Sequence, residues 1–395
     1  MSNKDQWLLP EGIEEVLPPE AWRLECARRE ILDLFSSWGY ELIMPPFIEY
    51  LESLLTGTGN DLDLQTFKLT DQLTGRMMGV RADMTPQAAR IDAHPLKRDV
   101  PSRLCYVGTV LRTRPDGFSG TRSPLQVGAE LFGHAGIESD VEILNLVLES
   151  LSVMGVTEVH MDLGHVGIFR ALAADAGLDD QQETALFDAL QRKASTEITE
   201  ILAASRATED QCRRLACLAE LNGGHEILAT ARESLAGAGS EVMAALDNLC
   251  AIADAMHHSR ADTVLFFDLA ELRGYNFHTG MVFAVFVPGR GQEIARGGRY
   301  NDIGKVFGGA RPATGFSMDL KTLDDLGARE YGSPDGAIFA PADADPVLLA
   351  TVRALRAAGE RVLFALPGQQ GDPAAMGCDR VIVREHNSWV VKPVS

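Results

Sequence analysis

Apolar side chains recur at three- and four-residue spacing from Leu24 through Ala27, Ile31, Leu34, Phe35 and Trp38, between Pro18-Pro19-Glu20 and Gly39. That spacing predicts an amphipathic helix with a glycine stop. The next stretch, Tyr40 to Ile48 with Pro45-Pro46 inside it, is too short and too proline-rich for a helix and predicts an edge strand or extended segment. Thr66 to Arg81 reads as a hairpin around a polar turn, with a helix opening near Thr85 and Pro86 in its first turn. Arg103 to Leu111 and Leu125 to Phe132 are two further strands, flanking a loop rich in Gly, Ser, Thr and Arg. A helix near 140–154 and a strand near 158–163 follow.

The pattern then changes. From His165 to about Ser259, Ala, Leu, Glu and Arg dominate, apolar positions keep helical spacing and strand signals vanish, which predicts an all-helical insertion over 165–259. Strands return at Thr263 to Leu269, Met281 to Val287 and near 293–295, and a helix is expected near Asp319. From about Gly336 the tail reads strand (Ala337 to Ala340), helix (Pro346 to Ala358), strand (Arg361 to Leu366) and strand (Arg380 to Arg384), a small α/β unit. The fold class is therefore α+β: a core of 1–164 and 260–327, the helical insertion, and a C-terminal unit over 328–395.

Composition narrows the functions open to such a chain. Thirty-six Lys and Arg against 56 Asp and Glu leave a net charge of −20 over 395 residues, which repels polyanions and argues against broad nucleic-acid binding. The N-terminus lacks the basic flank and apolar core of a signal peptide, and no stretch reaches about 18 uninterrupted apolar residues, so a cytoplasmic protein without a membrane span is expected. The six cysteines show no C-x-x-C pair and no zinc spacing, and are expected to be reduced and mostly buried, with no metal bound. Cys212 and Cys217, in a helical stretch, leave a redox pair open.

Three stretches carry candidate chemistry. Val80-Arg81-Ala82-Asp83-Met84-Thr85 ends a strand in a carboxylate and a hydroxyl; the pair can hold an ammonium group or simply cap the following helix. In Leu125-Gln126-Val127-Gly128-Ala129-Glu130, alternation puts Gln126, Gly128 and Glu130 on one strand face, as the floor of a ligand site or as a solvent-facing strand. The third runs Leu272-Arg273-Gly274-Tyr275-Asn276-Phe277-His278, followed by Gly297-Gly298-Arg299-Tyr300 and Gly308-Gly309. There the glycines permit tight turns and Arg273 can meet an anion, although each element alone also serves as ordinary structure.

Taken in this order around a helical insertion, from about residue 8 to 325, these stretches resemble histidyl-tRNA synthetase, whose fold is a class II aminoacyl-tRNA synthetase antiparallel sheet with helices. Gly39-Tyr40 through Pro46 and Glu49 is similar to the motif of the class II dimer interface, which implies a homodimer through the core. Gln126 to Glu130 is similar to the histidine-contacting strand, and Asp83 and Thr85 stand where that family has a glutamate and a threonine. Arg273-Gly274 matches the start of the histidine signature, and Gly297 to Tyr300 matches a glycine-rich strand beneath the substrate.

The departures alter the implied function. The family's second motif has an acid that Arg112-Thr113-Arg114-Pro115 lacks. Aligned from Tyr106-Val107-Gly108, Arg112 falls on the phosphate-holding arginine; aligned from Arg114-Pro115, Leu111 does. In Gly315 to Thr322, Asp319 replaces a glycine and Thr322 the ATP-stacking arginine, removing stacking and adding an acid that repels triphosphate. Asn276, Phe277 and His278 replace an aspartate and two tyrosines. The tail holds 7 Lys and Arg against 8 Asp and Glu from residue 328 on, with no basic face for an RNA stem.

An amino-acid pocket with eroded ATP and tRNA features resembles the ATP phosphoribosyltransferase regulatory subunits, a non-catalytic branch of the synthetase lineage. That resemblance implies a hetero-oligomer with a short catalytic subunit that condenses ATP with phosphoribosyl pyrophosphate at the first step of histidine biosynthesis. This chain would activate that subunit and mediate L-histidine feedback, with no catalytic residue and no cofactor of its own. The histidine-binding candidates are Asp83, Thr85, Arg112, Gln126, Glu130, Arg273, Phe277 and His278. The competing readings are an active histidyl-tRNA synthetase and another synthetase-like regulator.

Overall fold

The computed structural model describes residues 7–55, 60–115, 120–260, 263–272, 274–275, 277–303, 311–327, 329, 331, 336–369, 372–386 and 388–394. Contacts gather the chain into two compact units, Met1–Val16 with Leu24–Arg329 and Leu17–Arg23 with Glu330–Ser395.

The strands of the larger unit are, in chain order, β1 (Glu41–Leu42), β2 (Ile48–Tyr50), β3 (Phe67–Thr70), β4 (Met77–Val80), β5 (Ser102–Thr109), β6 (Leu125–Phe132), β7 (His160–His165), β8 (Asn222–Gly223), β9 (Leu265–Asp268), β10 (Met281–Phe286), β11 (Ala295–Arg299) and β12 (Ala313–Asp319). Among the described residues nine of them form one sheet in the order β1-β5-β6-β12-β11-β10-β7-β9-β8. Every neighbouring pair is antiparallel except β1 with β5 and β7 with β9. The sheet is thus the antiparallel one expected. β2, β4 and β3 form a separate three-stranded ribbon. The segment Tyr40 to Ile48 divides between the two sheets because Pro45-Pro46 cannot continue the ladder of β1.

The first helix, Glu20–Ser37, buries Leu24, Ala27, Ile31 and Phe35, four of the residues that the spacing placed on one face. Phe35 meets Phe316 of β12 edge-on, with ring centroids 6.0 Å apart. Helix Ile137–Val153 buries Ile143, Leu144, Val147 and Leu151 and packs against β6, β11 and β12. Asp140 of that helix takes Arg299 of β11 as a fully buried ion pair, with Nε 3.1 Å and 3.0 Å from the two carboxylate oxygens. Arg299 also donates to the carbonyls of His134 and Gly136, so its charge is fully met; removing one partner of such a buried pair costs about 3–5 kcal/mol.

Helices cover most of 166–259, as the sequence suggests, but two outer ones lie on the core. Val166–Asp175, opened by His165 accepting the Gly167 amide at 3.1 Å, packs against β10. Ser240–Ser259 packs against β7 and against Ile137–Val153. Those contacts, together with β8 pairing onto β9, explain why the helical stretch falls in the same unit as the sheet.

In the smaller unit, β13 (Ala337–Ala340), β14 (Val362–Phe364), β15 (Cys378–Glu385) and β16 (Ser388–Pro393) run in the order β14-β13-β15-β16. Helix Pro346–Ala357 closes over Ile338, Val362 and Ile382 with Leu348 and Val352. Asp345 caps it, accepting the Val347 amide at 2.9 Å and, on its other oxygen, the Trp389 indole at 2.9 Å. The six cysteines are free; Cys105 and Cys378 are buried and the other four only half-buried. No helix among the described residues is long and apolar enough to cross a membrane.

Candidate functional site

Register builds the site. Glu130 of β6 lies between Leu104 of β5 and Gly315 of β12, while Gly128 lies between Tyr106 and Ser317. A side chain at Gly315 would put its Cβ 1.7 Å from Glu130 Oε2, so the carboxylate occupies space that only glycine leaves. At Gly128 a Cβ would fall 2.5 Å from the Tyr106 hydroxyl. The space above Gly128 is therefore taken by the neighbouring tyrosine, which reaches across it, and is not left open.

Tyr106 donates to Glu130 Oε1 at 2.9 Å, and Tyr300, just beyond β11, donates to Oε2. Thr85 lies 3.0 Å from the Tyr106 hydroxyl. Glu130 is 1% exposed, and burial pushes its carboxyl up to about 8 despite the two phenol donors, which pull the other way. Both tyrosines are held well above their ordinary range, chiefly by burial. The solvent-facing reading of this strand is excluded, since Gln126 and Glu130 are both buried.

Asp83 and Gln126 form a second polar group. Gln126 Nε2 donates to Asp83 Oδ1 at 2.8 Å, Gln126 Oε1 accepts the Met84 amide at 2.9 Å, and Asp83 Oδ1 also accepts the Thr85 amide at 2.9 Å. Asp83 therefore tethers the start of helix Thr85–Ile91 and also lines a cavity.

That cavity, of about 310 Å³, is bounded by Asp83, Thr85, Arg112, Glu130, Phe277, His278, Tyr300 and Gly315 among others. Its volume is in the range of small-molecule sites. Phe277 lies on Tyr300 with centroids 4.8 Å apart, and the His278 ring packs against Gly274, where φ is +67° and a Cβ would meet the imidazole at 2.6 Å. Of the eight candidates, Gln126 stands behind Asp83 rather than among the lining residues, and Arg273 lies outside the described residues. The other six line the cavity together.

Sequence reasoning placed Tyr300 in a glycine-rich strand beneath the substrate without giving it a contact, and did not single out Tyr106, which holds Glu130, or Phe187, which comes from helix Asp180–Gln191 and lines the cavity. An aromatic residue directly across a hairpin from a glycine is the signal that would have found Tyr106.

A second cavity, of about 470 Å³, shares Arg112, Arg296 and Ser317 with the first and extends over Asp319, Lys321 and Thr322. Four acids (Glu14, Glu293, Asp319, Asp325) face four bases (Arg112, Arg290, Arg296, Lys321) there. Arg296 pairs with Glu293 at 3.3 Å and Lys321 with Glu14 at 3.7 Å. Asp319 accepts the Leu125 and Lys321 amides at 2.9 Å and 3.2 Å and the Thr322 hydroxyl at 3.1 Å, and burial raises its pKa. It serves as the cap of helix Leu320–Leu326 and as a tie to β6.

An antiparallel sheet carrying a buried carboxylate at one cavity, with a second cavity of mixed charge beside it, fits a class II synthetase-like core. Residues 12–323 match the histidyl-tRNA synthetase family model, and residues 335–392 match that of the ATP phosphoribosyltransferase subunit HisZ C-terminal domain. The ATP phosphoribosyltransferase regulatory subunit of Thioalkalivibrio sulfidiphilus is 62% identical over 392 residues, covering 99% of both chains. That of Pseudomonas syringae pv. syringae is 56% identical, covering 100% of both. A crystal structure from Bacillus halodurans, described as an ATP phosphoribosyltransferase regulatory subunit/histidyl-tRNA synthetase, superposes with a TM-score of 0.82 at 27% identity, covering 93% of this chain and 95% of that one. Histidyl-tRNA synthetase from Nostoc sp. superposes at 0.76 with 17% identity, over 95% of this chain and 91% of that one, a likeness of fold. The chain belongs to the ATP phosphoribosyltransferase regulatory subunit family.

Proposed function

We propose that this chain, as a regulatory subunit of ATP phosphoribosyltransferase, activates a short catalytic subunit and carries histidine feedback to it through the Glu130 cavity. The observation that carries this reading is a buried carboxylate fixed by two phenols beside a cavity of amino-acid size. Polar groups so placed gain from a ligand that completes their hydrogen bonds. Asp83, its Oδ1 already committed to Gln126 and Thr85, offers Oδ2 to an α-ammonium group. Glu130 takes a ring nitrogen, Arg112 or Arg273 the carboxylate, and Phe277 and His278 cover the ring. Histidine then shifts the complex only as far as its affinity differs between the active and inhibited states.

Aminoacylation is disfavoured by the second cavity, where four acids balance four bases and two of the bases, Arg296 and Lys321, already pair with carboxylates of the chain itself, which weakens the attraction for a triphosphate. A second copy of this chain is the proposed cover for the edge around β1, where Leu42 is 42% exposed, Met44 80% and Phe47 39%. The test of the reading is the rate of the short catalytic subunit with and without this chain across an L-histidine titration. Stimulation that histidine reverses is expected; no association and no change in rate would overturn it.

A further inference from the structure

The cavity wall opposite Glu130 is held by the helical segment. Tyr275 is 8% exposed, and four side chains of that segment meet it, the first being Phe169, whose ring stands edge-on with centroids 5.4 Å apart. Arg170, in Val166–Asp175, lays its guanidinium 4.8 Å from the Tyr275 ring centre and donates to the carbonyls of Tyr275 and His278 at 3.0 Å and 3.2 Å. Glu183, in Asp180–Gln191, accepts the Tyr275 hydroxyl, and Phe187 of the same helix packs on the Tyr275 ring at 5.3 Å while lining the cavity. Side chains therefore run continuously from Glu130 through Tyr300 and Phe277 to the backbone that Arg170 grips.

Building on the histidine-binding reading above, we infer that Arg170, Glu183 and Phe187 are positioning residues of the effector site, tying occupancy of the cavity to helix Asp180–Gln191. A ligand seated on Glu130 and against His278 loads the carbonyls that Arg170 holds. One guanidinium nitrogen donates to both carbonyls while the planar group lies on the ring, which a lysine reproduces only in part. Through the Tyr275 hydroxyl, the same load reaches Glu183 and the helix that carries it. Coupling of this kind needs contacts that differ between the two states, and requires the Tyr275 contacts with Arg170 and Glu183 to be among them.

The test is amide hydrogen exchange of the full chain with and without L-histidine, paired with calorimetry of histidine binding. Histidine is expected to slow exchange in 180–191. Arg170→Gln is expected to weaken binding by roughly tenfold, with Arg170→Lys recovering part of the loss. Glu183→Ala, saturated with histidine as judged by calorimetry, is expected to lose the added protection of 180–191 while its melting temperature stays near that of the parent. Histidine binding with unchanged exchange in 180–191 would overturn the inference and leave the histidine site standing. Absence of any histidine binding would overturn both.

Discussion

Two cavities share Arg112, Arg296 and Ser317, yet they treat charge in opposite ways. Around Glu130 a carboxylate is buried and oriented by phenols, with an open volume beside it. Around Asp319 the acid is spent on a helix cap, and nearby cations pair with acids of the same chain. On the proposed reading the first arrangement gains from an amino-acid ligand; in the second, acids balance bases and two of the four bases are already paired. The two sites can vary independently, because register on β6 and β12 builds one and the turn into helix Leu320–Leu326 builds the other, which is what the proposed loss of nucleotide chemistry with retention of an amino-acid site requires.

Breaking the first cavity gives the largest effect. Glu130→Ala removes the ligand's acceptor and leaves two buried phenols unmet, and histidine affinity is expected to fall roughly 100-fold by calorimetry. The pH dependence of stability comes next. Glu130 titrates near 8 in the folded chain, above its unfolded value, so its contribution favours folding at low pH and is lost as pH rises toward 8. Between pH 6.5 and 9 the parent is expected to lose about 2 kcal/mol more than Glu130→Gln, read by thermal or denaturant unfolding.

Changes in the second cavity sharpen the contrast by doing less. Asp319→Ala removes a cap and is expected to cost about 1 kcal/mol in denaturant unfolding, with histidine affinity unchanged. Lys321→Ala, losing only a 3.7 Å pair with a largely exposed Glu14, is expected to stay within about 0.5 kcal/mol.

Much of this was legible where local pattern and tertiary role agree. The span of β6 follows from alternation, whereas the hydrogen bond from Gln126 to Asp83 joins two stretches 43 residues apart and is seen only in the structure. β12 was not read as a strand, because Ala313-Thr314-Gly315-Phe316-Ser317 mixes glycine with small polar residues and is held as a strand by β6 and β11 on either side. β8, only two residues long, exists because β9 offers it an edge. From the sequence Asp319 is expected to repel a triphosphate; its tie to β6 depends on the Leu125 amide, 194 residues away along the chain, which no local pattern announces. Tyr300 and Phe187 reach the cavity from distant parts of the chain, and no local period announces them.

The central claim is that one cavity carries the histidine signal. The direct measurement is the ATP phosphoribosyltransferase rate of the short catalytic subunit, reconstituted with the parent chain or with Glu130→Ala, as L-histidine is titrated. The account predicts that the variant still stimulates the catalytic subunit while half-inhibition moves to roughly 100-fold higher histidine. Coincident inhibition curves for the two chains would contradict it.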